Sequence, residues 1–263
     1  MKKTIVFSSI ISLAFLATSV HATVIINDNY IGGSEFLGTI YNETVDVIGT
    51  AAEFDVTGMV VNIAPSSLSV DINTRYLDNI GIYGTELGDL FISNDGWHPF
   101  GAAPQGSDVD SNGENWEYVL TMDLTHNPDV ANGVLFGTTS LFAVDPNKII
   151  HPWDTSPAPS GGTMNTVRPG QEVQYDTRGL NALASGTWTI GNYGGTDTDD
   201  FLNFSLNGYD LGLSEENFGL RWSMTCANDI IEGGKNPVPE PATMLLFGAG
   251  LVGLVGHSLK KKK

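Results

Sequence analysis

"GLRWSMTCAND", residues 219–229, carries the clearest structural pattern in the chain. Leu220, Trp222, Met224 and Cys226 alternate with Arg221, Ser223 and Thr225. A period of two is the mark of a β-strand, so the pattern predicts one buried and one wet face. Trp222 is then a core anchor and Cys226 a small buried residue. Working outward, short alternating segments recur between Gly-, Asn- and Asp-rich turns: "MVVNIAP", "SLSVDIN", "GDLFIS", "NWEYVLTMDL", "EVQYDT", "GTWTIGNY" and "FLNFSLNGYD". "GVLFGTTSLFAV" reads as a hairpin about its glycine, Gly137. Helical periodicity is scarce. The expectation is an all-β protein, a single-domain antiparallel β-sandwich. Residues 145–170, with five prolines, read as a surface excursion.

The chain has 263 residues and a formal net charge of −18. Its first residues, MKKTIVFSSIISLAFLATSVHA, have a basic start, a short apolar stretch and small residues at Val20 and Ala22. That is the plan of a signal peptide over residues 1–22, removed by signal peptidase, with the β domain spanning residues 23–232. Six basic residues stand against twenty-nine acidic ones in the body, a formal charge of −23. Such a surface repels phosphate backbones, which argues against nucleic acid, and it attracts divalent cations. Cys226 is the one cysteine, so no intramolecular disulfide forms and stability must come from the core.

After a short spacer at residues 233–238 comes Pro239-Glu240-Pro241, then an apolar, glycine-containing run at 242–259 and Lys260 to Lys263. Nineteen residues from Pro241 to Leu259 suffice to cross a hydrocarbon core at ~1.5 Å per residue. The terminal lysines set its orientation. The two prolines keep the preceding peptide extended, in the form that a processing enzyme binds. In order and position, the motif, the span and the basic end closely resemble the PEP-CTERM proteins. Lysine stands where arginine is more usual. The resemblance implies recognition by an exosortase, with cleavage near Pro239, Glu240 and Pro241. It further implies a Gram-negative bacterium that makes exopolysaccharide, an inner-membrane tether during sorting, and delivery to the cell surface or extracellular matrix. A plain membrane anchor that is never cleaved is the alternative. The body more loosely resembles extracellular domains of unassigned chemistry that precede such tails, through "NDNYIGG", "GDLFISNDGW" and "RWSMTCANDIIEG".

Sites are less legible. In "DVDSNGEN", Asp108, Asp110 and Asn112 alternate, with Gly113 at the sixth position, as in the first half of a calcium loop. The twelfth position is Val119, so the closing bidentate ligand is missing, and Glu114 or Glu117 would have to substitute. The same residues also make an ordinary Asx-rich turn. Asp197, Asp199 and Asp200 form a second, less regular acidic group. No G-x-S-x-G, P-loop, H-E-x-x-H or C-x-x-C motif occurs. His98 and His151 each precede a proline and read as loop residues. "EFDVTG" has Gly58 where a β-sandwich glycosidase strand of the E-x-D-x-x-E type needs an acid, so Glu53 and Asp55 read as wet strand residues. Trp116 and Trp188 are expected in the core, while Trp97 and Trp153, beside His-Pro and Pro-Trp kinks, are candidates for stacking on sugar rings. The expected function is that of a surface or matrix protein whose body is a non-catalytic module for adhesion or exopolysaccharide association, with calcium as the candidate bound ion. The alternatives are a polysaccharide-active enzyme with scattered carboxylates, and a purely structural coat protein.

Overall fold

The computed structural model describes residues 22–80, 84–122, 126–129, 134–152, 167–191 and 200–236. The expected signal peptide up to residue 21, the sorting motif, the apolar run and Trp153 lie outside them. Among the described residues no helix is long and apolar enough to cross a membrane.

The protein is built almost wholly from antiparallel strands. Ten of them form one continuous sheet. In chain order the strands are β1 (Ala22–Asn27), β2 (Ser34–Phe36), β3 (Thr39–Tyr41), β4 (Val56–Ala64), β5 (Ser67–Thr74), β6 (Leu90–Ser93), β7 (Tyr118–Met122), β8 (Phe136–Ala143), β9 (Ile149–Ile150), β10 (Gln174–Tyr175), β11 (Ala184–Gly191), β12 (Phe201–Asn207), β13 (Phe218–Ser223) and β14 (Ile230–Lys235). One helical turn, α1 (Ala51–Phe54), leads into β4. The large sheet runs β1-β4-β5-β12-β11-β8-β7-β6-β13-β14, and β2-β3 and β9-β10 are small separate pairs.

Alternation builds this sheet. In β5 the residues Leu68, Val70 and Ile72 point inward between polar neighbours, and in β12 Leu202, Phe204 and Leu206 do the same. The outward residues there are polar: Asn203 Nδ2 donates to Asp71 Oδ1 at 2.6 Å and to Ser69 Oγ at 2.9 Å. Inward side chains from all ten strands join a single core. Ile26 of β1 and Ile231 of β14 both belong to it although they come from opposite ends of the strand order. The sheet therefore curls until its ends approach: a Cβ added at Gly233 of β14 would lie 2.6 Å from Ile26 Cγ2. What the sequence suggests as two sheets is one nearly closed sheet.

Half of that sheet differs from the alternating expectation. All six residues of β13 are buried, including Arg221 and Ser223, and Thr225 just beyond is buried as well. The second face of β6, β7 and β8 carries Phe91, Val119 and Phe142, which are covered by Trp116 and Tyr175. Beside them Tyr30, Val173, Ala227 and Ile230 make another small cluster. Loops lie over this face, so a strand there is buried on both sides. Val167 and Arg168, at the end of the expected surface excursion, are buried parts of this covering. The last strand also continues through Lys235, taking in the first residues expected as spacer. Glu53 lies in α1, and Asp55 precedes β4 and pairs with Arg75 at 3.3 Å.

Gly137 makes no turn. It sits inside β8, directly opposite Trp188 of β11. A Cβ there would stand 2.5 Å from Trp188 Nε1 and 2.6 Å from Cε2. Trp188 is 1 % exposed, so its ring has nowhere to retreat. Gly137→Ala is expected to destabilise the protein by about 1–3 kcal/mol, the usual result of overpacking a filled core. Urea unfolding checks this, and an unchanged midpoint would contradict the packing described.

Candidate functional site

The covered half of the sheet is organised around Arg221, which β13 projects away from the main core. Strand alternation sends Leu220 and Trp222 inward and leaves Arg221 under the loops, 1 % exposed. Its Nη1 donates to Glu232 Oε2 at 2.7 Å, and its Nε lies 3.2 Å from Glu172 Oε2 and donates to the Glu172 carbonyl at 3.1 Å. Nη2 donates to Gln171 Oε1. The guanidinium also lies 6.0 Å from the Tyr30 ring centroid. Each acid has a second donor: Trp116 Nε1 reaches Glu172 Oε1 at 3.2 Å, and Trp97 Nε1 reaches Glu232 Oε1 at 2.9 Å. Gln171 Nε2 then donates to the carbonyls of Gly33 and Asp108, both at 2.6 Å.

Burial opposes the charge on Arg221, but Glu172, Tyr30 and Glu232 outweigh it and raise its pKa above the ordinary value. Burial also pushes Glu232 up to about 7, against the pull of Arg221. Removing one partner of a buried ion pair leaves the other uncompensated. Arg221→Met is therefore expected to cost about 3–5 kcal/mol. Denaturant titration measures this, and a variant as stable as the native chain would refute the role assigned to Arg221.

Above this centre lies a groove of about 290 Å³ between the two end strands of the sheet. Its lining includes Tyr30, Trp97, Glu232, Asn29 and Gln105, of which Tyr30, Glu232 and Gln105 are buried and Asn29 is exposed. Trp97 is half-buried, held by its bond to Glu232 and by its backbone N–H, which donates to Asn236 Oδ1 at 2.6 Å. Trp116 and Trp188 lie in the core, and Trp222 and Cys226 are buried. Burial pushes the Cys226 thiol up to about 12, which leaves it neutral and unreactive.

The four residues of the calcium-like loop have separate surroundings. Asp108 is 1 % exposed, and burial raises its pKa to about 6, partly offset by the Phe100 backbone and Arg221. Asp110 pairs with His151 Nε2 at 3.2 Å. Asn112 Oδ1 accepts from the Val109 N–H at 3.0 Å, reaching back across the turn. Glu114 turns away and accepts from the backbone N–H groups of His98 and Asn115. Among the described residues Asp108 and Asp110 join no metal-ligating group, whereas Glu114 joins one with Asp95 and His98. Of the second acidic stretch only Asp200 is described, and it is buried.

A carboxylate cluster that no local motif announces does form. Asp28, Asp46 and Asp229, distant in sequence, bring one oxygen each within 4.8 Å of one another. Asp229 accepts from the N–H groups of Val56 at 2.6 Å and Ile230 at 2.8 Å. Arg168, fully buried, fastens the Asp46 loop by donating to the carbonyls of Val45 at 3.0 Å and Asp46 at 2.8 Å. Burial, reinforced by the neighbouring acids, raises Asp28 to about 9; burial and Asp46 raise Asp229 to about 8. These groups hold protons more tightly in the folded than in the unfolded chain, where Asp titrates near ~3.9. Their contribution to stability is complete below that value and disappears as pH rises through about 8 to 9. Asp28→Asn should make the fall in unfolding temperature between about pH 5 and about pH 9 shallower. Parallel curves for the two proteins would contradict this.

Comparison with known proteins bears on the end of the chain. The PEP-CTERM protein-sorting motif matches residues 237–261. This is an exported protein sorted through an exosortase. The chain is a PEP-CTERM domain-containing protein, and Pro239, Glu240 and Pro241, the residues expected to carry the sorting motif, fall within the match. No curated protein matches the chain. No solved structure matches it either.

Proposed function

We propose that the exported body is a non-catalytic module that associates with exopolysaccharide at the cell surface or in the extracellular matrix. The observation that carries this reading is the groove of about 290 Å³ where the half-buried Trp97 and the exposed Asn29 stand over the buried Tyr30, Gln105 and Glu232. Sugars offer apolar ring faces edged by hydroxyls, so aromatic walls with a few polar groups suit them. Glycoside hydrolysis by the usual route needs two carboxyls flanking the bond, and among the described residues Glu232 is the one carboxyl-bearing residue in this lining. That supports binding over hydrolysis. In this reading the curled sheet works as a β-sandwich, with two halves facing across the core and loops presenting the groove. The acidic body stays soluble after release and is drawn to a matrix containing cations.

The test is binding of the full chain to exopolysaccharide from its producer. Trp97→Ala is expected to weaken it about tenfold, corresponding to ~1.4 kcal/mol of lost stacking. Trp97→Phe, which keeps an aromatic face, should retain most of it. Undiminished binding by Trp97→Ala would overturn the proposal.

A further inference from the structure

The loop after β6 carries metal-ligating side chains that neither the groove nor the ionic centre uses. Asp95 and His98 are exposed on it, and Glu114 meets them from beneath, 7 % exposed. One ligand atom from each lies within 4.8 Å of the other two. His98 Nδ1 and Glu114 Oε2 are 3.8 Å apart. Ligand atoms at ~2.0–2.1 Å around a tetrahedral zinc stand roughly 3.4 Å from one another. A small movement of His98, whose side chain is 55 % exposed, would close the difference.

The surroundings hold the other two ligands. Ser93 Oγ donates to Asp95 Oδ1 at 2.8 Å, and the Asn115 N–H donates to Glu114 Oε1 at 3.0 Å. Glu114 Oε2 accepts one backbone N–H from His98 and, as a carboxylate oxygen, has a second lone pair. Such outer bonds orient metal ligands. Gly96 supplies the space. Its φ of +118° suits glycine, and a Cβ there would stand 2.5 Å from Asn236 Oδ1, 2.9 Å from His98 Cε1 and 3.4 Å from Asn217 Oδ1. That Asn217 oxygen is enclosed and has no hydrogen-bond partner, while the amide nitrogen is committed to the Asn94 carbonyl at 2.8 Å. A buried acceptor of this kind is ordinarily satisfied by an ordered water.

We propose that Asp95, His98 and Glu114 bind a divalent ion of the zinc class, with water in the fourth position. One imidazole and two carboxylates suit zinc, and the two negative charges balance it. Calcium takes six to eight oxygens, which this set does not offer. Asp95 and His98 bracket Trp97, so the ion would also stiffen the wall of the groove. The site stands without the carbohydrate reading, because its test contains no polysaccharide.

The test is calorimetric titration of the full chain, in mild detergent, with zinc chloride and separately with calcium chloride, together with thermal unfolding in each ion. One equivalent of zinc is expected, with a rise in unfolding temperature, and calcium should not compete for it. His98→Ala and Asp95→Asn alter exposed side chains, so folding should survive, and each should weaken zinc at least tenfold and abolish the thermal shift. Absence of zinc binding in the native chain, native affinity in His98→Ala, or displacement of zinc by equimolar calcium would overturn the proposal.

Discussion

A guanidinium removed from water must be surrounded by acceptors, and Arg221 meets that requirement by gathering distant parts of the chain. Glu172 and Gln171 come from the segment before β10, Glu232 from β14, and Tyr30 from the loop after β1. Through Trp116 and Trp97 the same acids hold the segments before β7 and after β6. The wet half of the sheet needs no such device, because Asp71, Ser69 and Asn203 satisfy one another at the surface. The covered half does, since loops carry backbone groups that need partners when buried.

Backbone bonds show how far this organisation reaches. The Gly33 N–H donates to Asp108 O at 2.8 Å, Glu35 to Pro169 O at 2.7 Å, Asp110 to Gly170 O at 2.9 Å and Asp89 to Val173 O at 2.9 Å. Three loops are thus laced to each other as well as to the sheet. The groove beside Trp97 and the ligand group at His98 both sit on this shell. Their geometry depends on this ionic centre, which shares Tyr30 and Glu232 with the groove. Buried ion pairs are uncertain sources of net stability, because desolvation offsets much of the attraction. Here the centre fixes which loop lies where.

The strand pattern was largely legible in the sequence, since a period of two survives wherever one face is wet, as in β5 and β12. It misled at β13, where Arg221 and Ser223 look solvent-facing but lie under loops that no local signal announces. Gly137 read as a turn because its requirement is for space under Trp188, a residue fifty-one positions later. The candidate site was less legible for the same reason. Trp97 was identifiable from its neighbours, and Glu114 only as the replacement closing ligand of a calcium-like loop. Glu232 and Tyr30 carry no local signature. Asp28, Asp46 and Asp229 are joined by topology alone, as are Asp95 and Glu114. The sorting tail was the opposite case, because everything that it needs is contiguous over residues 237–261.

If the loops belong to the same cooperative unit as the sheet, their amides should be shielded as strand amides are. Hydrogen exchange of the native protein measures this directly. The N–H groups of Gly33, Glu35, Asp89 and Asp110 are expected to exchange as slowly as those of β13 and β14. Fast exchange at these four positions beside a protected β13 would mean that the shell opens independently of the sheet, and that Arg221 does not hold it in place.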